Sequence, residues 1–151
     1  MTVLKIVKYP NPILKKKLKL VVDFNSRLKS TIRDMFESMY TYNGIGLAAN
    51  QVGIDMSIVI VDISKVEKKI IPLALVNPVI TKYSDEKELA EEGCLSFPGY
   101  YDKVQRSKYL EVSYYDINGK PQKLQAEGLL ARVLQHEIDH INGINFVQRM
   151  T

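Results

Sequence analysis

The chain has 151 residues, of which 46% are hydrophobic and 25% are charged, and this balance predicts one compact domain spanning residues 1–151. No stretch approaches the roughly 20 apolar residues of a membrane-spanning helix, and a single cysteine excludes an intrachain disulfide. We therefore expect a cytoplasmic protein with no membrane partner.

The net charge of +4 includes short lysine clusters, the clearest at residues 15–17. Such a run predicts a solvated face, and weak attraction to RNA-rich surroundings is the alternative. No basic stretch interleaved with aromatic residues indicates a specific nucleic-acid partner.

The first helix is predicted over residues 25–42. Asn25 and Ser26 are candidate caps, and Asn43-Gly44 is a stop signal. The apolar residues of this segment fall on one helical stripe, namely Leu28, Ile32, Phe36 and Met39.

A glycine-marked loop at residues 44–46 leads into a region of predicted strands. β-Branched runs favour strands at residues 57–63 and 70–80, and further strands are predicted around 87–93 and 109–117. Asn118-Gly119 predicts a hairpin with a two-residue turn. A second helix is predicted from about Gly128 to Asn142-Gly143, buried through Leu129, Leu130, Val133, Leu134, Ile138 and Ile141. Strands between two helices predict an α+β domain.

The second predicted helix carries a pair of histidines, His136 and His140, which are the two histidines of the chain. Residues four apart lie about 40° apart around a helix axis and one turn apart along it, so both imidazoles can reach one metal ion. Glu137 lies beside them, where a carboxylate can reach a water on that ion without ligating it. The pattern favours a metal site over core histidines.

A catalytic site of this kind normally has three protein ligands and one open position. In familiar helix-borne metalloproteases the third ligand lies downstream, but residues 141–151 contain no His, Asp, Glu or Cys. The upstream candidate is the single thiol, Cys94. A lone cysteine is otherwise a small buried hydrophobic residue, and the need of the histidine pair for a partner favours ligation.

Three segments resemble the signature motifs of peptide deformylases and occur in the same order. They are Gly44-Ile45-Gly46-Leu47-Ala48-Ala49-Asn50-Gln51, Glu92-Gly93-Cys94-Leu95-Ser96 and Gln135-His136-Glu137-Ile138-Asp139-His140-Ile141-Asn142-Gly143. The resemblance extends to residues 9–14 and 112–116 and so covers almost the whole chain. It implies antiparallel β-sheets enclosing a central helix that carries the HExxH metal motif. It also implies a bacterial-type enzyme that removes the formyl group from the N-terminal formyl-methionine of nascent chains.

The same resemblance assigns roles to single residues. It implies one divalent ion per chain, usually iron(II), held by Cys94, His136 and His140. Glu137 would accept a proton from the attacking water and later protonate the leaving amine. The Gln51 side-chain amide and the Leu95 backbone N–H would stabilise the negative charge that develops on the formyl oxygen.

Four residues are predicted to bind substrate by resemblance: Ile45, Gly46, Leu129 and Val133. The glycines of the first motif either serve its turn or let a peptide approach bare backbone. The three apolar residues, Ile45, Leu129 and Val133, either belong to the core or line a pocket for the methionine side chain beside His136.

Three charged residues near the motifs have structural interpretations. Asp139 is interpreted as an ion-pair member, with orientation of a ligand as the alternative. Glu92 and Arg106 are a candidate buried pair that shapes the cysteine loop.

Two other functions compete with deformylation. An ordinary zinc peptidase is disfavoured by the missing downstream ligand. A metal-stabilised binding module is disfavoured because a structural zinc site closes all four positions and needs neither Glu137 nor Gln51. The ligand set suits iron, zinc, nickel or cobalt and does not choose among them. The sequence ends shortly after the third motif, where many relatives continue into a C-terminal helix, so at most weak ribosome association is expected.

Overall fold

The computed structural model describes residues 2–149, with only the backbone described at Phe146 and Val147. The described part contains two α-helices and seven β-strands. The helices are α1 (Ser26–Thr41) and α2 (Gly128–Ile141). The strands are β1 (Gly46–Ala48), β2 (Ile58–Val61), β3 (Leu73–Tyr83), β4 (Lys87–Cys94), β5 (Phe97–Ser107), β6 (Tyr109–Tyr115) and β7 (Pro121–Glu127). Short 3-10 helices lie at Pro12–Lys15, Ala49–Val52 and Phe146–Arg149.

The strands form two separate antiparallel sheets. The large sheet has the order β1-β2-β3-β6-β7, and the small sheet pairs β4 with β5. Helix α2 packs against β1, β2, β6 and β7 of the large sheet and against β5 of the small one. The predicted α+β class, with antiparallel sheets around a central helix, is confirmed.

Helix α1 begins at a side-chain cap. The Asn25 side chain accepts a hydrogen bond of 3.0 Å from the Leu28 N–H, which satisfies one of the free donors of the first turn. The predicted stripe is buried at three of its four positions, but Phe36 is only partly buried and stacks on Tyr40 at the edge, while Met35 is buried instead. Met35 and Phe36 lie three and four residues after Ile32, and both spacings suit one helix face. The packing partner therefore decides which of the two is buried.

Helix α2 is buried on almost every side. Its apolar residues join the main core with all four residues of β2. Its polar residues Gln135, His136, Glu137 and His140 are buried as well. The polar side chains of such a helix have little access to water and need partners in the protein or in a bound group, because buried polar groups without partners are costly. No helix within residues 2–149 is long and apolar enough to cross a bilayer.

The strands predicted at residues 57–63, 70–80, 87–93 and 109–117 are found within three residues of their predicted ends. Two strands were missed. Strand β1 has three residues and begins at a glycine, and β5 begins Phe-Pro-Gly, which resembles a turn. Both are defined by pairing with a neighbouring strand rather than by a local pattern.

The predicted hairpin between β6 and β7 exists, but the prediction of a two-residue turn is wrong. The connection spans residues 116–120, with the Gly119 N–H donating to the Asp116 carbonyl at 3.0 Å and Gly119 at a φ of +81°. The Asp116 carboxylate also accepts from the N–H groups of Asn118 and Lys120 at 2.9 and 3.0 Å. These bonds stabilise a type I turn followed by a glycine bulge instead of a turn with two positive φ angles.

Candidate active site

Three elements bring the predicted chemical groups together. Helix α2 carries both histidines and Glu137, and β4 ends at Cys94. Gln51 lies in the 3-10 helix that directly follows β1. Leu95 occupies the two-residue turn between β4 and β5, in which Cys94 pairs with Phe97. Both sheets therefore contribute to one site around the central helix.

The candidate ligand atoms of Cys94, His136 and His140 all lie within 4.8 Å of one another. The Cys94 Sγ is 3.2 Å from the His140 Nε2. Metal–sulfur bonds of about 2.3 Å and metal–nitrogen bonds of about 2.0–2.1 Å in a tetrahedral site place ligand atoms roughly 3.3–3.6 Å apart. The three residues thus fit one divalent ion with small adjustments.

The charges around the two histidines also favour a cation. Burial lowers the pKa of His136, but hydrogen bonds to Cys94 and Glu92 and the charge of Glu137 outweigh burial and raise this pKa to about 10. Groups that hold a proton so strongly also attract a metal ion, whose charge takes the place of the proton. Burial, followed by the charge of His136, lowers the pKa of His140 well below its usual value, so His140 is the neutral imidazole that ligation requires.

Glu137 is buried beside the candidate ligands. Its Oε1 accepts no hydrogen bond from any residue in the described range 2–149. Burial raises the pKa of Glu137 to about 7, against the opposing charge of His136. A general base works best with a pKa near the working pH. A buried carboxylate oxygen without a protein partner points to a partner from outside the chain.

Gln51 has a fixed orientation. Its Oε1 accepts a hydrogen bond of 2.9 Å from the Ala48 N–H. The Nε2 group lies 3.3 Å from the Cys94 Sγ and 3.4 Å from the Ser96 Oγ. The donor end of the amide therefore faces the candidate ligands, where an oxyanion would need it.

Glu92 orients His136. Its Oε1 lies 2.9 Å from the His136 Nδ1, so the Nε2 of the ring is turned toward the other ligands. Arg106 donates two hydrogen bonds of 2.9 Å to the same carboxylate, which confirms the predicted pair. Burial alone would raise the pKa of Glu92, but its hydrogen bonds to His136 and Arg106 lower it to about 2.

Asp139 pairs with Arg106 at 2.6 Å and with Arg149 at 3.2 Å, so its interpretation as an ion-pair member is confirmed. Two contacts were not predicted: the hydrogen bond from His136 to Glu92, and an ion pair between Arg132 and Glu92. The spacing of four residues between Arg132 and His136 places both on one helix face. That spacing is the one signal in the sequence that pointed to Arg132.

A cavity of about 470 Å³ opens beside the candidate ligands. All four predicted substrate-binding residues line it, namely Ile45, Gly46, Leu129 and Val133. Val133 also belongs to the main core, whereas Ile45 is 39% exposed. Gly46 packs so closely that an added Cβ would lie 2.7 Å from Val133 Cγ1 and 2.8 Å from Glu137 Oε2. The apolar wall next to the candidate ligands is suited to an apolar side chain.

A thiol, two imidazoles and a buried carboxylate beside an open cavity define the class of metal-dependent hydrolases. The profile of the polypeptide deformylase family matches residues 3–151. The peptide deformylase of Brucella suis is 42% identical over 151 residues, which are 100% of this chain and 86% of that protein. The enzyme of Thermosynechococcus vestitus is 46% identical over 138 residues, which are 91% of this chain and 73% of that protein.

Solved structures agree with the sequence comparisons. The peptide deformylase of Thermotoga maritima superposes with a TM-score of 0.94 at 40% identity and covers 100% of this chain and 99% of its own. The class I type b enzyme of Acinetobacter baumannii gives a TM-score of 0.95 at 35% identity and covers 99% and 100%. The chain belongs to the polypeptide deformylase family.

It is therefore a metal-dependent hydrolase that removes the formyl group from the N-terminal formyl-methionine of nascent polypeptides. The reaction consumes one water and yields formate and a free methionine amine. Family membership sets aside the two alternatives, a zinc peptidase and a binding module without turnover.

Proposed function

We propose that Cys94, His136 and His140 hold one divalent ion, and that Glu137, Gln51 and the Leu95 N–H perform the chemistry beside it. The observation that carries the proposal is the convergence of one thiol and two imidazoles within 4.8 Å, next to a buried carboxylate oxygen with no partner among the described residues. The proposed catalytic domain spans residues 1–151, of which residues 1, 150 and 151 lie outside the described part.

The proposed ion is iron(II), as the resemblance to the family implies. Mixed thiolate and imidazole ligands also accept zinc, nickel or cobalt. When bound, a divalent ion in this ligand set polarises a carbonyl oxygen and makes a water acidic near neutral pH.

Glu137 is proposed to take a proton from the attacking water, while the oxygen of that water forms a bond to the formyl carbon. The C–N bond then breaks, and Glu137 returns the proton to the leaving nitrogen. The second water proton passes from formic acid to solvent, so formate and a free amine are released. Burial, which raises the pKa of Glu137, favours both steps, because the group must accept and donate a proton in one cycle.

Gln51 and Leu95 are proposed to stabilise the transition state. The Gln51 Nε2 group faces the ligands, and Leu95 directly follows Cys94 in the hairpin turn. Two N–H donors aimed at the formyl oxygen would offset the negative charge that develops there during attack.

The cavity beside the ligands is proposed to hold the methionine side chain against Ile45, Leu129 and Val133. Strand β1 is an edge strand of the large sheet, so its outer side can pair with an extended peptide. Gly46 begins this strand, and its missing side chain lets the strand lie directly against Val133 and Glu137 of α2.

The proposed location is the cytoplasm, where nascent formylated chains arise and where a free thiol stays reduced. Any attraction to ribosomes is proposed to be weak and to come from exposed lysines such as Lys15 and Lys17. Diffuse contacts of this kind weaken steeply with added salt, because they depend on counterion release. No specific nucleic-acid partner is proposed.

The test loads purified protein separately with iron, zinc, nickel and cobalt and measures hydrolysis of formyl-Met and acetyl-Met peptides. Formyl-Met peptides should be cleaved far faster, because the extra methyl group of the acetyl amide clashes in a tight site and lowers its reactivity. Comparable rates would instead indicate a broader amidase.

Metal analysis of Cys94→Ala, His136→Ala and His140→Ala tests the ligands themselves. Each variant should lose most of its ion, because each removes one of three donors. Full metal content and activity in Cys94→Ala would refute the proposed third ligand.

A further inference from the structure

The small sheet carries Cys94 but has little hydrophobic anchoring. Its own cluster of buried apolar residues consists of Phe97 and Val104, with Cys94 packed against them. Strand pairing joins it to no other strand within residues 2–149. An isolated two-stranded sheet is marginally stable at best. Polar contacts must therefore help to set where Cys94 lies relative to the histidines on α2.

One side chain of α2 makes three such contacts. The Nη1 group of Arg132 donates to Glu92 Oε2 at 2.5 Å and to the Val104 carbonyl at 2.9 Å. Its Nη2 group donates to the Glu88 carbonyl at 2.6 Å. Glu88 and Glu92 lie on β4 and Val104 lies on β5. The guanidinium thus reaches the backbone of both strands and the carboxylate that orients His136.

Arg132 is also well enclosed, with 12% of its side chain exposed. Shielding from water strengthens an ion pair relative to one on the surface. The flat guanidinium directs several N–H donors at fixed angles, so it specifies position as well as charge. A lysine would supply the charge without that geometry.

Two other links join the small sheet to α2. Gln135 exchanges hydrogen bonds of 3.0 and 2.9 Å with the backbone of Ser107, at the end of β5 away from Cys94, and Arg106 pairs with Asp139. The Arg106 side chain belongs to β5 and therefore moves with the sheet. Arg132 belongs to the helix and lies one turn before His136. It is therefore placed to hold the whole sheet against the helix segment that carries the ligands.

We infer that Arg132 is a positioning residue that docks the small sheet onto α2 and so sets the distance between Cys94 and the two histidines. The inference rests on the proposed ligand set. Loss of the three contacts lets the end of β4 move, and a displaced thiolate binds the ion less tightly.

The experiment compares the parent protein with Arg132→Met, Arg132→Lys and Lys108→Met. Lys108→Met is the matched control, since Lys108 lies just after β5 and pairs only at the surface with Glu86. Cobalt(II) affinity is measured by competition with a chelator. The thiolate-to-cobalt charge-transfer absorption reports the Cys94 bond directly.

Arg132→Met should lose roughly tenfold to a hundredfold in cobalt affinity, the range seen when a group that orients a ligand is removed, and its charge-transfer band should weaken. Arg132→Lys should recover only a small part of the loss, because it lacks the contacts to both strands. Lys108→Met should match the parent.

Parent-like affinity and absorption in Arg132→Met would overturn the inference. Full recovery in Arg132→Lys would also overturn it, because charge alone would then suffice. Should Arg132→Met fail to fold, the lysine variant still decides between docking and charge. Absence of a thiolate band in the parent would instead refute the proposed ligand set, and the inference with it.

Discussion

The two sheets hold the central helix by different physical means. The large sheet presents fully buried side chains to the main core, among them Leu47, Ile58, Ile60 and Leu75. The small sheet has two buried apolar residues in its own cluster and contacts α2 through arginine and carboxylate groups. The helix that carries the histidines is thus held by hydrophobic packing, whereas the sheet that carries the cysteine is held by directional polar contacts, one of which also orients the His136 ring.

This difference matters because packing and polar contacts respond differently to change. A core loses stability according to the volume removed. A hydrogen-bond network loses geometry when one donor is removed, because the acceptors that the donor held are left without a partner. The candidate active site lies between the two sheets. A change in the large sheet and a change in the small sheet should therefore affect different properties of the site.

The largest expected effect concerns Glu137 on the helix itself. Glu137→Gln should keep fold and metal but lose roughly a hundredfold to ten-thousandfold in kcat, because an amide fills the space without taking the proton. Metal content and circular dichroism are the controls. A variant within a few-fold of the parent would remove Glu137 from its proposed role.

Gln51, next to the large sheet, should matter somewhat less. Gln51→Ala should cost about 3 to 4 kcal/mol of transition-state stabilisation, the range for one lost oxyanion donor. The measurement is kcat for a formyl-Met peptide, with metal content checked in parallel. A loss confined to metal binding would show that the amide serves Cys94 and not the oxyanion.

Two truncations compare the two sheets directly, namely Leu134→Ala in the main core and Val104→Ala in the small sheet. Leu134 is fully buried, and its truncation should lower the free energy of unfolding by about 2–5 kcal/mol. Removing two carbons at Val104 should cost about 1–2 kcal/mol. Metal affinity should nevertheless fall more in Val104→Ala, as measured by chelator competition. A larger loss of metal affinity in Leu134→Ala than in Val104→Ala would contradict the proposed difference between the two sheets.

The smallest expected effect follows removal of the ion by a chelator. Because Cys94 would lose its bond to the ion, amides of β4 and β5 should exchange with solvent faster, on the order of tenfold, through local opening. Amides of β2 should be unchanged. Hydrogen exchange read out by mass spectrometry resolves the two sheets, and uniform acceleration would contradict separate anchoring.

Both helices were predictable from the sequence because their signals are local. The Asn25 cap and the stop signal at Asn43-Gly44 bound α1 as predicted. The histidine spacing on α2 indicated a shared ligand face, since helix geometry relates residues four apart. The four strands predicted from β-branched runs or alternation, β2, β3, β4 and β6, were found with small shifts of their ends.

Features that depend on distant partners were not predictable. Strands β1 and β5 exist through pairing, and the hairpin turn follows the hydrogen bonds of Asp116. Phe36 and Met35 fit the helical period equally well, and the core buried Met35. A local pattern cannot rank such alternatives, because the deciding contact lies elsewhere in the fold.

The sequence alone determined the family resemblance, the fold class and the candidate ligands, because these lie in short motifs with fixed residue types. The tertiary structure alone decided that Glu92 orients His136 and that Arg132 joins α2 to the small sheet. Glu92 and His136 lie 44 residues apart in the chain, and Glu92 and Arg132 lie 40 apart. Contacts over such separations depend on how two sheets close around one helix, and no local spacing encodes that closure.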